Sequence, residues 1–181
     1  MTAEDKIAES EYNLDKLKNV DNPKDFQFVL SNFLSSSRSI LDHLLEDHRI
    51  KFGLSIYGDL TVRTFVSEAK KAQNSSALKF INWFDDERRI LRTNKPYGFL
   101  WAKRNHSVHR NTIKLDHGSF LEVGITPILT DKITGEITNG DRNVKKLAWR
   151  FFNENLSDDA IVVCSDFLTH IKKIVDDSKS M

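Results

Sequence analysis

The chain has 181 residues, with Lys+Arg 27 against Asp+Glu 26 and a formal net charge of +1, so attraction for a polyanion must come from a local patch. At 39% hydrophobic and 29% charged, with seven Gly and three Pro, the composition excludes collagen-like, disordered and membrane-spanning classes and suits one soluble globular domain over 1–181. The acidic start MTAEDKIAESEYN, the reverse of a secretory leader, predicts a cytoplasmic protein without a membrane segment, and the lone Cys164 excludes an internal disulfide and a Cys-based zinc cage.

Residues 5–19 set Ile7, Leu14 and Leu17 among charges, the pattern of a short helix laying one stripe on the body. Asp21-Asn22-Pro23 punctuates the chain. A cap at Asn22 and Pro23 in the first turn predict a helix over 23–48, with Phe26, Leu30, Phe33, Leu34, Ser37, Leu41, Leu44 and Leu45 facing the core. Small side chains at Ser35, Ser36 and Ser37 let another helix approach closely. Gly53 and Gly58 loosen the next stretch, and helical patterning resumes over 61–72 through Phe65 to Lys71.

A further helix is predicted over 75–93, burying Leu78, Ile81, Trp83, Phe84 and Ile90 and ending where Asn94, Pro96 and Gly98 act as breakers. Another follows over 99–112. The period then changes to two, with Leu121, Val123, Ile125, Pro127 and Leu129 alternating and Leu147, Trp149 and Phe151 resuming the alternation, which predicts a β-hairpin over 119–152. Ser157, Asp158 and Asp159 open a last helix over 157–177, whose stripe is Ile161, Cys164, Phe167, Leu168, Ile171 and Ile174. The expected class is mainly α: a bundle of about five helices with an inserted β-hairpin before the last helix.

Charge singles out one segment. From Arg88 to Leu115 there are eight basic residues (Arg88, Arg89, Arg92, Lys95, Lys103, Arg104, Arg110 and Lys114) and no Asp or Glu, with Asp85, Asp86, Glu87 before it and Asp116 after it. Such a run attracts phosphates, and Arg88, Arg92, Lys103, Arg110 and Lys114 are its candidate phosphate or RNA contacts; a solvated face paired with acids elsewhere in the chain gives the same composition.

Within the run lies Arg104-Asn105-His106-Ser107-Val108-His109. On a helix Asn105 and His109 fall about 40° apart, and Arg104 is long enough to reach round to the same cleft. Imidazole moves a proton near neutral pH and a guanidinium clamps phosphate, the two parts needed to cut RNA without a metal. His106 and His109 could instead share a metal with His117 or Asp116, but zinc pairs usually come with a second pair at set spacing. Trp83, Phe84, Trp101 and Trp149 fit the core better than base stacking, except Trp101, one turn from Asn105 on the same face.

Arg104-Asn-x-x-x-His109 resembles the R-x4-6-H signature of the HEPN superfamily, and the segment DFQFVLSNFLSSSRSILDHL resembles an early helix of such proteins. The resemblance implies a helical bundle that dimerises with two motifs facing across the interface, forming a composite ribonuclease site without a cofactor or metal. Carried over, Arg104 binds the scissile phosphate, His109 is general base or acid, and Asn105 orients one of them. Asp42, with Arg38 one turn before it, and His106 are supporting residues. Many members act as toxins or defence effectors held by an antitoxin or partner protein, and others only bind a nucleotide, RNA or protein. Where one toxin branch has a Tyr two residues past the His, this chain has Asn111.

Overall fold

A computed structural model describes residues 1–20, 23–95, 97, 98, 100, 101 and 160–181. These are mainly helical: α1 (Ala3–Lys18), α2 (Pro23–Lys51), α3 (Val62–Lys71), α4 (Ser75–Thr93) and α5 (Ala160–Ser178). Helical geometry also recurs at Lys95, Tyr97, Gly98, Leu100 and Trp101. No strand occurs among the described residues; the predicted hairpin at 119–152 and most of the predicted helix at 99–112 lie outside them.

Each helix end follows from local chemistry. Thr2 opens α1 through a capping box: its hydroxyl accepts from the Asp5 N–H at 3.2 Å while the Asp5 carboxylate accepts from the Thr2 N–H at 2.7 Å. Asp47 of α2 takes the next donor, the Ala3 N–H, at 2.9 Å and so ties α1 to α2. The long α2 runs past the expected His48 to Lys51 and closes at Gly53, whose φ of +63° suits glycine. There the Gly53 N–H donates to the Ile50 carbonyl and the Leu54 N–H to the Arg49 carbonyl, both at 3.0 Å, with Leu54 buried beneath them. Gln73 does the same for α3 at φ +50°, and Asn74 then caps α4 by accepting from the Ala77 N–H at 2.9 Å.

Packing bears out the α2 stripe: Phe26, Leu30, Phe33, Leu34, Ser37, Leu41, Leu44 and Leu45 are all buried. Asn13 of α1 donates to Ser36 of α2 at 3.2 Å, using the small-residue stretch for a close approach. Leu14 and Leu17 of α1 join the same core, as do Cys164, Phe167, Leu168, Ile171 and Ile174 of α5; the expected Ile7 and Ile161 are only partly buried. On α4 the sequence reading needs correction. Ile90 is 46% exposed and Leu78 and Trp83 are half-buried, whereas Ala77, Phe80, Ile81, Phe84 and Leu91 carry the core. Spacing at threes and fours, rather than the bulk of each side chain, fixes the buried face.

The joint after α4 also differs from expectation. The chain returns to helical geometry at Lys95 rather than at Phe99, and the Gly98 N–H donates to the Asn94 carbonyl at 2.7 Å. Gly98 therefore acts as a contact residue rather than a breaker: a Cβ there would collide with the Arg92 carbonyl oxygen. This close approach sets Trp101 beside the C-terminal end of α4.

Candidate functional site

Side chains of α2 and α4 meet in antiparallel order. His48 of α2 stacks on Phe80 of α4 with ring centroids 3.8 Å apart and planes 3° from parallel. Toward the other end, Asp42 and Arg38 of α2 meet the basic half of α4. Arg38 and Asp42 are four residues apart, as are Arg88 and Arg92, so each pair shares one face of its helix.

Three elements converge there. The Arg38 guanidinium carbon lies 4.7 Å from the centre of the Trp101 ring and that of Arg92 lies 5.3 Å from it. Arg88 sits 5.6 Å from the Phe84 ring centre. Cation–π contacts at these distances contribute about 0.5–1 kcal/mol when exposed and about 2 kcal/mol when desolvated. Trp101 is 7% exposed, too little to stack a base, so its ring serves to hold the two guanidiniums in place. That restraint matters because an arginine side chain otherwise carries about 2 kcal/mol of rotamer entropy into any contact.

The electrostatics are unbalanced. Burial lowers the affinity of Arg88 for its proton, the Arg92 charge lowers it further, and Asp42 and Asp85 act the other way. A guanidinium nonetheless stays protonated near neutral pH. Among the described residues neither Arg88 nor Arg92 forms an ion pair, whereas their neighbour Arg89 pairs with Asp86 at 2.8 Å on the exposed side. Arg92 and Arg88 thus keep positive charges beside the Trp101 and Phe84 rings.

Of the residues singled out in the sequence, Arg38 and Arg92 thus meet at Trp101, and Arg88 lies within electrostatic reach of Arg92 and Asp42. Arg104, Asn105, His106, His109, Lys103, Arg110 and Lys114 lie outside the described residues, as do His117 and Asp116 of the metal alternative. Among the described residues no three His, Cys, Asp or Glu side chains are grouped to hold a metal ion, and no helix is long and apolar enough to cross a membrane.

Two histidines to which the sequence assigned no role have defined surroundings. The Nδ1 of buried His48 lies 3.0 Å from the Leu44 carbonyl and its Nε2 lies 3.3 Å from the Ser178 carbonyl of α5. Two carbonyls favour the imidazolium, burial opposes it, and burial dominates, holding the pKa below its usual value. His170 of α5 lies 3.9 Å from the Glu87 carboxylate, and its ring centre is 5.6 Å from that of Tyr97. Burial, reinforced by Asp166, pushes the Tyr97 hydroxyl up. Nothing in the local sequence signals this grouping, which joins α4, Tyr97 and α5 across long chain separations.

No family profile, curated protein or solved structure matches the chain.

Proposed function

We propose that the protein is a metal-independent endoribonuclease of the HEPN type, a toxin or defence effector whose composite site forms between two copies of a HEPN-like bundle. The observation that supports this best is the meeting of Arg38 and Arg92 on Trp101, one helical turn before Asn105 in the sequence, with Arg88 and Asp42 in electrostatic reach of each other beside them. In the sequence these arginines lead into the stretch that carries Arg104 and His109, whose residue types suit phosphate cleavage. In this reading His109 takes the proton of a ribose 2′-hydroxyl and the 2′-oxygen attacks the adjacent phosphorus. The bond to the 5′-oxygen breaks, and the second copy's imidazole returns a proton to that leaving oxygen. Arg104 holds the phosphate as charge builds on it, and Asn105 orients the reacting groups.

The test is cleavage of single-stranded RNA in EDTA. Arg104→Ala and His109→Ala should each slow cutting by at least about 100-fold while helical circular dichroism stays unchanged; equal cutting by both variants contradicts the assignment. A second reading rests on the same cations. An inactive bundle would bind RNA, a nucleotide or a partner protein through this face and leave RNA intact. Arg88 or Lys103 substitutions would then matter as much as His109.

A further inference from the structure

We infer that His170 of α5 is a proton-operated latch: with a proton on, its imidazolium pairs with Glu87 of α4 and fastens α5 to α4 and to the joint after α4, and with the proton off the fastening is released. The inference does not depend on what the Trp101 end binds. The first support is where Glu87 sits. One turn before it on α4 lie Trp83 and Phe84 and one turn after it Ile90 and Leu91, so the four positions around it on that strip of the helix are apolar. Phe84 and Leu91 are buried and Trp83 is half-buried, and the Glu87 side chain is itself only 24% exposed. Its ion-pair contact among the described residues is His170, whose Nε2 lies 3.9 Å from the carboxylate. That is beyond hydrogen-bond reach, yet close enough for an imidazolium to be drawn in. A carboxylate held in such surroundings without a hydrogen bond carries a desolvation cost, and a positive charge on the facing ring offsets it.

The second support is Tyr97. Its ring centre lies 5.6 Å from that of His170 and 5.7 Å from that of Phe167, so the joint packs on the same turn of α5 that faces Glu87. Gly98 follows, its N–H held by the Asn94 carbonyl at 2.7 Å, so a shift of His170 toward Glu87 passes to the joint through ring contact. Other charges nearby do not replace the pair. On α5 itself Asp166 stands one turn before His170 and Lys173 one turn after, both exposed, and Asp166 acts electrostatically on the Tyr97 hydroxyl. From α1, which also packs on α5, Glu11 is taken by Lys172 at 2.6 Å. From α2, His48 meets α5 further along, at the Ser178 carbonyl. Imidazole ordinarily changes charge between about pH 5 and 8 and carboxylates near about pH 4. The pair is therefore present at the acid end of that window and lost as pH rises, the opposite sense to buried His48. Both side chains are partly solvated, so the coupling is small.

The experiment is a double-mutant cycle on the full chain, with wild type, Glu87→Gln, His170→Gln and the two together. It is read by urea unfolding at roughly pH 5.5 and roughly pH 8.0, either side of the ordinary imidazole range. Groups that titrate elsewhere in the chain, His48 included, cancel in the cycle. At the lower pH the pair should favour the folded state by about threefold, and at the higher pH the coupling should vanish. Coupling of equal size at both values overturns the latch, because a contact indifferent to the proton is packing alone. Absence of coupling at the lower pH overturns it as well. Hydrogen exchange of the Gly98 N–H gives a local reading within the folded protein, and comparing variants at one pH removes the intrinsic pH dependence of exchange. At the lower pH Glu87→Gln should exchange about threefold faster than wild type, and at the higher pH the two should match. Equal exchange at the lower pH overturns the tie to the joint.

Discussion

The same two helices, α2 and α4, build opposite environments at their two ends. At one end His48 lies flat on Phe80, and the rings of Phe52, Phe65 and Phe84 surround Phe80 at 5.9, 5.7 and 5.6 Å. At the other end Arg38 and Arg92 face the Trp101 ring. Both use an aromatic ring as a platform, but the titratable partners respond differently. Imidazole gives up its proton more readily when burial makes the charge expensive, so burial favours the uncharged ring at the His48 end. Guanidinium cannot, so the Trp101 end keeps its charge under partial burial. One end is therefore an aromatic core, and the other keeps positive charge beside its ring.

That division can be broken from the structural side first. Phe80→Ala removes the ring that contacts His48 and its aromatic neighbours and should cost about 3–5 kcal/mol in urea unfolding. RNA affinity per folded molecule should not change; a loss of affinity at conditions where the variant is fully folded would show that the two ends are not independent. Gly98→Ala forces the joint away from the Arg92 carbonyl and should cost about 1–3 kcal/mol. Unlike Phe80→Ala it should also weaken RNA binding, because it displaces Trp101 from Arg92. Thr2→Ala, next to the Ala3 N–H that Asp47 accepts and so at the His48 end, removes the α1 cap and should cost about 1 kcal/mol with RNA affinity untouched.

A final effect appears as a slope with pH. Burial holds the His48 pKa below its usual 6.5, so the unfolded chain takes up a proton that the fold resists. Stability from this group is complete above that usual value and falls as pH drops through it. The urea midpoint should decline between pH 7.5 and 5.5, above the carboxylate range, and His48→Gln should show a shallower decline. An equal or steeper decline in the variant would mean that the two carbonyls, and not burial, set the protonation of this ring.

The sequence pattern carries some of these features well and others not at all. The α2 stripe is legible because eight positions at threes and fours all face one way, and small serines mark where α1 approaches. On α4 the bulky Ile90 draws the eye, yet Leu91 beside it is buried, since a one-residue step turns a side chain to a different face. Pro96 and Gly98 read as breakers. Gly98 instead permits close contact with Arg92, a requirement that depends on three-dimensional approach rather than on local propensity. For the site, the acid-free run picks out Arg88 and Arg92, but the meeting of Arg92 with Arg38 on Trp101 joins residues far apart in the chain. No local period encodes that meeting. The His170, Glu87 and Tyr97 grouping was illegible for the same reason.

The most direct measurement is of the products. Purified protein is incubated with a labelled single-stranded RNA in EDTA and the new ends are identified by mass spectrometry. The proposed chemistry predicts fragments ending in 2′,3′-cyclic phosphate, because the 2′-oxygen is the nucleophile. RNA recovered intact at protein concentrations that bind it fully, or fragments with a free 3′-hydroxyl, would contradict it.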